Sequence, residues 1–84
     1  MYRVETDERA QEQVEALPAE ALAYYAELRT VLELDPYSGA PLSKDNPEGG
    51  MFTLTFGSHG EGLAYYLVLD RQRRVDVLAV RWFG

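Results

Sequence analysis

Three stretches of strand character follow one another between residues 51 and 83, joined by connections too short for a helix, so this part of the chain can only fold as an antiparallel meander. In Met51–Phe56 the apolar Phe52, Leu54 and Phe56 alternate with Thr53 and Thr55, the pattern of a strand with one buried face. Gly57, Ser58, His59, Gly60, Glu61 and Gly62 supply a flexible connection. Residues 63–69 are apolar on both faces, as an interior strand is, and 70–74 form a charged turn. The last strand, 75–83, includes Val77, Leu78, Ala79, Val80 and Trp82.

The N-terminal half changes period. Residues 2–6 alternate around Tyr2, Val4 and Thr6 and predict a short first strand. Asp7 then caps a helix with Glu8 in its first turn and Ala10, Val14 and Leu17 on one face. Pro18 breaks that helix and opens another, whose stripe runs through Ala21, Leu22, Tyr25, Leu28 or Arg29, and Leu32. Asp35 and Pro36 end it, because the residue before proline is driven out of helical geometry. Residues 36–50, with three prolines and three glycines, read as a long loop. The predicted order is β-α-α-β-β-β: an α+β domain with a helical hairpin packed on one face of a mostly antiparallel sheet. With 84 residues, nearly half of them hydrophobic, the chain closes one core, and residues 1–84 are read as a single domain.

Composition narrows the chemistry. With no cysteine and a single histidine, neither a thiolate nor a multi-histidine metal site can be built, and no metal or cofactor is expected. No apolar run approaches the about 20 residues that span a bilayer, and the first residues lack a signal-peptide core, so no membrane association is expected and the expected location is the cytoplasm. A net charge of -6 opposes attraction to a phosphate backbone unless the cations gather locally. Arg71, Arg73, Arg74 and Arg81 do fall late in the chain, whereas most of the acids are spread through the first two thirds.

The order of elements, carried by Tyr2-Arg3-Val4, Asp7-Glu8-Arg9-Ala10, Leu17-Pro18, the helix end at 32–36, the run Tyr65-Tyr66-Leu67-Val68-Leu69-Asp70 and the strand at 75–80, resembles the RelE/ParE superfamily of bacterial toxins over nearly the whole chain. The resemblance implies the toxin half of a type II toxin-antitoxin system, partnered by a cognate antitoxin. It further implies either a ribosome-dependent endonuclease acting on messenger RNA or a gyrase inhibitor. Ribonucleases of the family carry Lys or Arg on the sheet strands to stabilise charge on the scissile phosphate. The corresponding strands here offer Phe52, Leu54, Leu63 and Ala64, which leaves a catalytically inactive binding or self-associating module as an alternative.

Arg81 leads the candidate catalytic residues: it interrupts an apolar strand, matches the family's late arginine approximately, and a guanidinium pairs bidentately with phosphate at any working pH. Its plainer role is an edge arginine paired with a neighbouring acid. His59, the chain's single histidine, is of a residue type suited to proton transfer, or is simply a solvated loop histidine. Arg71, Arg73 and Arg74 are expected to hold RNA or an acidic partner, or else to form a solvated hairpin tip. Lys44 in the long loop is a weaker ligand for the same partners, offset by Asp45. Trp82 and Phe83 are read as an exposed pair able to stack on bases, whereas Tyr65 or Tyr66 belongs to the core. The segment 19–34 carries more apolar surface than one packing stripe needs, as ordinary surface or as a groove for a partner segment.

Overall fold

The computed structural model describes residues 1–43 and 50–84. Strand β1 (Arg3–Thr6) leads into helices α1 (Glu8–Glu15) and α2 (Ala19–Leu34), followed by β2 (Ala40–Pro41), β3 (Met51–Phe56), β4 (Gly62–Leu69) and β5 (Arg74–Trp82). The strands form one sheet in the order β1-β5-β4-β3-β2. The helical hairpin carries the chain from one sheet edge to the other, and the meander returns it, so β5 arrives beside β1 in parallel while the other pairs are antiparallel. Among the described residues no helix is long and apolar enough to cross a membrane.

Local chemistry accounts for the boundaries. Asp7 accepts a 3.2 Å hydrogen bond from the Arg9 N–H and caps α1. Pro18 precedes α2, where a missing N–H costs nothing. The sequence reading of a meander plus one strand needs one addition: β2 lies inside the segment expected to be loop. It is two residues long, too short to show a period, and pairs Ala40 with Thr53 and Pro41 with Phe52. A proline is tolerated there because β2 is an edge strand. A 3-10 turn at Pro36–Ser38, in which Asp35 accepts from the Tyr37 N–H, leads into it.

The core lies between the helices and one face of the sheet. Ala10, Leu17, Ala21, Tyr25, Leu28 and Leu32 pack on Val4, Phe52, Phe56, Ala64, Tyr66, Val68, Val75, Val77 and Val80. Leu32 and Tyr66 are fully buried, each worth about 2–3 kcal/mol in area removed from water. Tyr66 is the core tyrosine expected from the alternation of β4, and its hydroxyl donates a 2.6 Å hydrogen bond to the Pro36 carbonyl. Burial pushes its pKa up to about 12. The Phe56 ring lies over Gly62 on the neighbouring strand, where an added Cβ would clash with the ring.

One irregularity decides which side chains reach the outer face. Tyr65 pairs with Ala79 but Tyr66 with Val77, so Leu78 is the extra residue of a β-bulge. Val75 and Val77 are buried before the bulge, and Val80 after it. The shift of one position turns Arg81, which an unbroken strand would have sent into the core, out to the open face. Gln13 of α1 accepts a 2.6 Å hydrogen bond from the Val80 N–H and secures this stretch.

Candidate functional site

The β3–β4 connection and the end of β5 meet at one end of the sheet. Arg81 stands opposite Leu63 of β4, exposed, and makes no hydrogen bond or ion pair among the described residues. Among the described residues the acid neighbour of its plainer reading does not meet it. The Phe83 N–H donates to the Glu61 carbonyl at 2.9 Å, which fixes the connection against the strand end. Gly57 turns at φ 103°, a left-handed conformation suited to glycine, with the Glu61 carboxylate and the Trp82 ring close by.

His59 sits in this connection and is well exposed. Its Nδ1 lies 3.1 Å from Ser58 Oγ and 3.9 Å from Glu61 Oε2. The backbone N–H of His59 donates to Glu61 Oε1 at 2.7 Å, and this bond, ahead of the other contacts, holds the Glu61 carboxyl below its ordinary range. A carboxylate therefore stays ionised beside the imidazole. The pair resembles a base with an orienting acid, in an open loop rather than a cleft.

The aromatic pair divides. Phe83 is 73 % exposed, as expected, but Trp82 is half-buried: the bulge turns it toward the helix side, where its ring lies 5.8 Å from Phe56. Only Phe83 is presented for stacking on a ligand.

Arg71, Arg73 and Arg74 lie at the opposite end of β4 and β5, and each is differently engaged. Arg74 makes a two-pronged contact with Asp76, 2.9 and 3.2 Å, which raises its pKa. Arg73, at φ 51°, places its guanidinium 5.4 Å from the Tyr2 ring centre and donates to the Tyr2 hydroxyl. Arg71 is exposed in the turn. The late cations thus form two separate groups, and in the triple Arg74 alone is ion-paired among the described residues. Lys44 lies outside the described residues.

Two arrangements escaped the sequence. Asp70 accepts from Tyr2 and Tyr37, hydroxyls that arrive from the residue before β1 and from the 3-10 turn. A groove of about 290 Å³ runs between α2 and β3, lined by Tyr24, Glu27, Leu28 and Val31 on one side and Leu54–Gly57 on the other. The apolar surplus of 19–34 signalled its helical wall, but nothing in the sequence signalled which strand faces it.

No protein-family model matches the chain, and no curated protein sequence does. Solved structures do. RelE in the intact Escherichia coli RelBE toxin-antitoxin complex superposes with a TM-score of 0.80 at 19% identity, covering 100% of this chain and 99% of that one. The chain has the RelE toxin fold. The isolated E. coli RelE toxin gives 0.81 at 15% identity, covering 100% and 86%. RelE of the archaeal RelE-RelB complex from Pyrococcus horikoshii gives 0.67 at 18% identity, covering 99% and 96%. The RelE fold is thus shared between E. coli, an archaeon and this chain with little sequence in common, which fits a scaffold held by burial pattern and topology.

Proposed function

We propose that this RelE-fold chain is the toxin component of a toxin-antitoxin pair, neutralised by a polypeptide partner, and that it acts on messenger RNA held by the ribosome. The observation that carries this is the end-to-end likeness to RelE in a toxin-antitoxin complex, combined with an exposed, unengaged Arg81 at the sheet end. Arg81 binds the scissile phosphate and stabilises its developing charge, while His59 beside the ionised Glu61 serves in proton transfer. Phe83 offers a stacking surface for a base. The ribosome supplies most of the affinity for the substrate, which offsets the repulsion expected from a net charge of -6. Mapping new 5′ ends on a defined messenger in a reconstituted translation system tests this. Cleavage requiring both ribosomes and Arg81 is expected, and an uncut messenger with the wild-type chain would overturn it.

A second reading has its own support. The open face of the sheet presents Met51, Thr53, Thr55, Leu63, Tyr65 and Leu67, and the cations toward its far end are paired, Arg3 with Glu5 and Arg74 with Asp76. Such a face suits protein contact better than a phosphate backbone, so a non-catalytic binding module is the alternative if the messenger stays intact.

A further inference from the structure

At β1 the sheet edge is closed by α2, whose Arg29 Nη2 donates to the Val4 carbonyl at 3.0 Å. That strand ends at Thr6, which pairs with Val77, so from Leu78 onward β5 is itself the edge. Up to Val77 the main chain of the odd positions faces β1: the Arg73 carbonyl accepts from the Arg3 N–H at 2.8 Å, and the Val77 carbonyl from the Asp7 N–H at 2.9 Å. Past the bulge the parity is reversed. The Phe83 N–H bonds to the Glu61 carbonyl, so the main chain of Arg81 and Phe83 faces β4 and that of Val80 faces outward. Gln13 Oε1 takes the Val80 N–H at 2.6 Å. In a strand without the extra residue, Ala79 and Arg81 would hold the outward N–H groups, and Val80 would turn its own toward β4. The Gln13 hydrogen bond therefore exists only in the register that puts Arg81 on the open face.

Helix α1 thus grips β5 at two points that bracket Leu78 and Ala79. Its cap residue Asp7 donates its backbone N–H to Val77, and Gln13 accepts from Val80. The spacings agree: from Asp7 to Gln13 the helix advances about 9 Å, and from Val77 to Val80 the extended chain advances about 10 Å. The outward N–H groups of an unbulged strand, at Ala79 and Arg81, would lie about 7 and 13 Å past Val77 and match that span less well. The same register buries Val80 and exposes Arg81, so packing and hydrogen bonding select one arrangement. We infer that Gln13 is a positioning residue for Arg81: its side-chain carbonyl fixes the bulge in β5, and with it the face from which the guanidinium meets a phosphate. Gln13 touches no substrate in this arrangement and acts through the main chain of β5. Its effect on catalysis rests on the reading that Arg81 serves the cleavage of messenger RNA; its hold on the register does not.

Two variants of the whole chain separate the acceptor from the bulk of the side chain. Gln13→Leu keeps the size and removes the acceptor, whereas Gln13→Glu keeps the acceptor. In free protein followed by NMR, Gln13→Leu is expected to speed exchange of the Val80 and Arg81 amides about tenfold or more relative to the Val68 amide, and to weaken the cross-strand contact of Arg81 with Leu63. Gln13→Glu keeps both near wild type. In ribosome-dependent cleavage of a defined messenger, Gln13→Leu lowers kcat about tenfold or more with KM within about twofold, and Gln13→Glu restores it. Val14→Ala, at the next residue and packed against the core, lowers the urea midpoint but leaves kcat near wild type, which separates positioning from stability. Unchanged Val80 and Arg81 exchange in Gln13→Leu overturns the inference, as does a Gln13→Glu chain that behaves like Gln13→Leu, a full kcat in Gln13→Leu, or an equal loss of kcat in Val14→Ala. A wild type that cuts no messenger overturns the cleavage reading instead, and the exchange comparison in free protein still decides whether Gln13 holds the register.

Discussion

Tyr2 donates a 2.5 Å hydrogen bond to Asp70 Oδ1 across 68 positions of sequence, and Tyr37 reaches the same oxygen at 3.3 Å. One carboxylate thereby ties the start of β1, the turn after α2 and the β4–β5 turn. The Tyr2 hydrogen bond is the main cause of the lowered pKa of Asp70, with Tyr37 and Arg73 adding to it; Tyr2 is raised in return by the same bond, and Tyr37 is raised first by burial and then by the Asp70 charge.

A carboxyl whose folded pKa is depressed contributes stability above its unfolded pKa and loses it as pH falls through the folded value. Asp70→Asn is therefore expected to lower the urea midpoint at pH 7 and to bring the variant and wild type together in the acid range, below the usual carboxylate pKa of about 4. A midpoint difference unchanged between pH 7 and pH 3 would count against the tie.

Tyr66 gives the opposite sign. Its folded pKa of about 12 lies above the ordinary tyrosine value, so its contribution is complete below pH 10 and is lost as pH rises toward 12. In an absorbance titration at alkaline pH, Tyr66 is expected to ionise last, together with loss of structure. Tyr66→Phe removes that step, though it also leaves the Pro36 carbonyl without its donor.

Two neighbours on α2 are expected to respond in contrary ways to truncation. Leu32 is fully buried, and Leu32→Ala should cost about 2–5 kcal/mol. Tyr25 is also buried, but its hydroxyl has no partner among the described residues, so Tyr25→Phe should be neutral or stabilising by up to about 1 kcal/mol. Urea unfolding of both variants checks this; a Tyr25→Phe loss of the same size as that of Leu32→Ala would contradict it.

How much of this was readable depends on the range of the forces involved. Met51–Phe56 matches its expected bounds because its alternation is local, and Asp7 and Pro18 mark the helices because capping acts within one turn. The parallel pairing of β1 with β5 and the two-residue β2 depend on partners far away in sequence and leave no local period. The same holds for the site. Arg81 and Arg74 look like one basic cluster, yet seven residues of extended chain separate them by about 23 Å, and a bulge at Leu78 sets the face on which Arg81 lies.

Arg29 predicts a further consequence of the edge chemistry. Arg29→Ala frees the Val4 carbonyl and removes the contact to Thr6, leaving β1 as an open edge. A loss of about 1–2 kcal/mol and a new tendency to self-associate are expected, read by unfolding and by sedimentation. A variant that stays monomeric and equally stable would show that this edge needs no guard.

Growth after tightly controlled induction of the chain, without any neighbouring gene, tests the central claim most directly. The account predicts arrest with the wild type and near-normal growth with Arg81→Ala at equal protein levels; normal growth with both would contradict a toxin acting through Arg81.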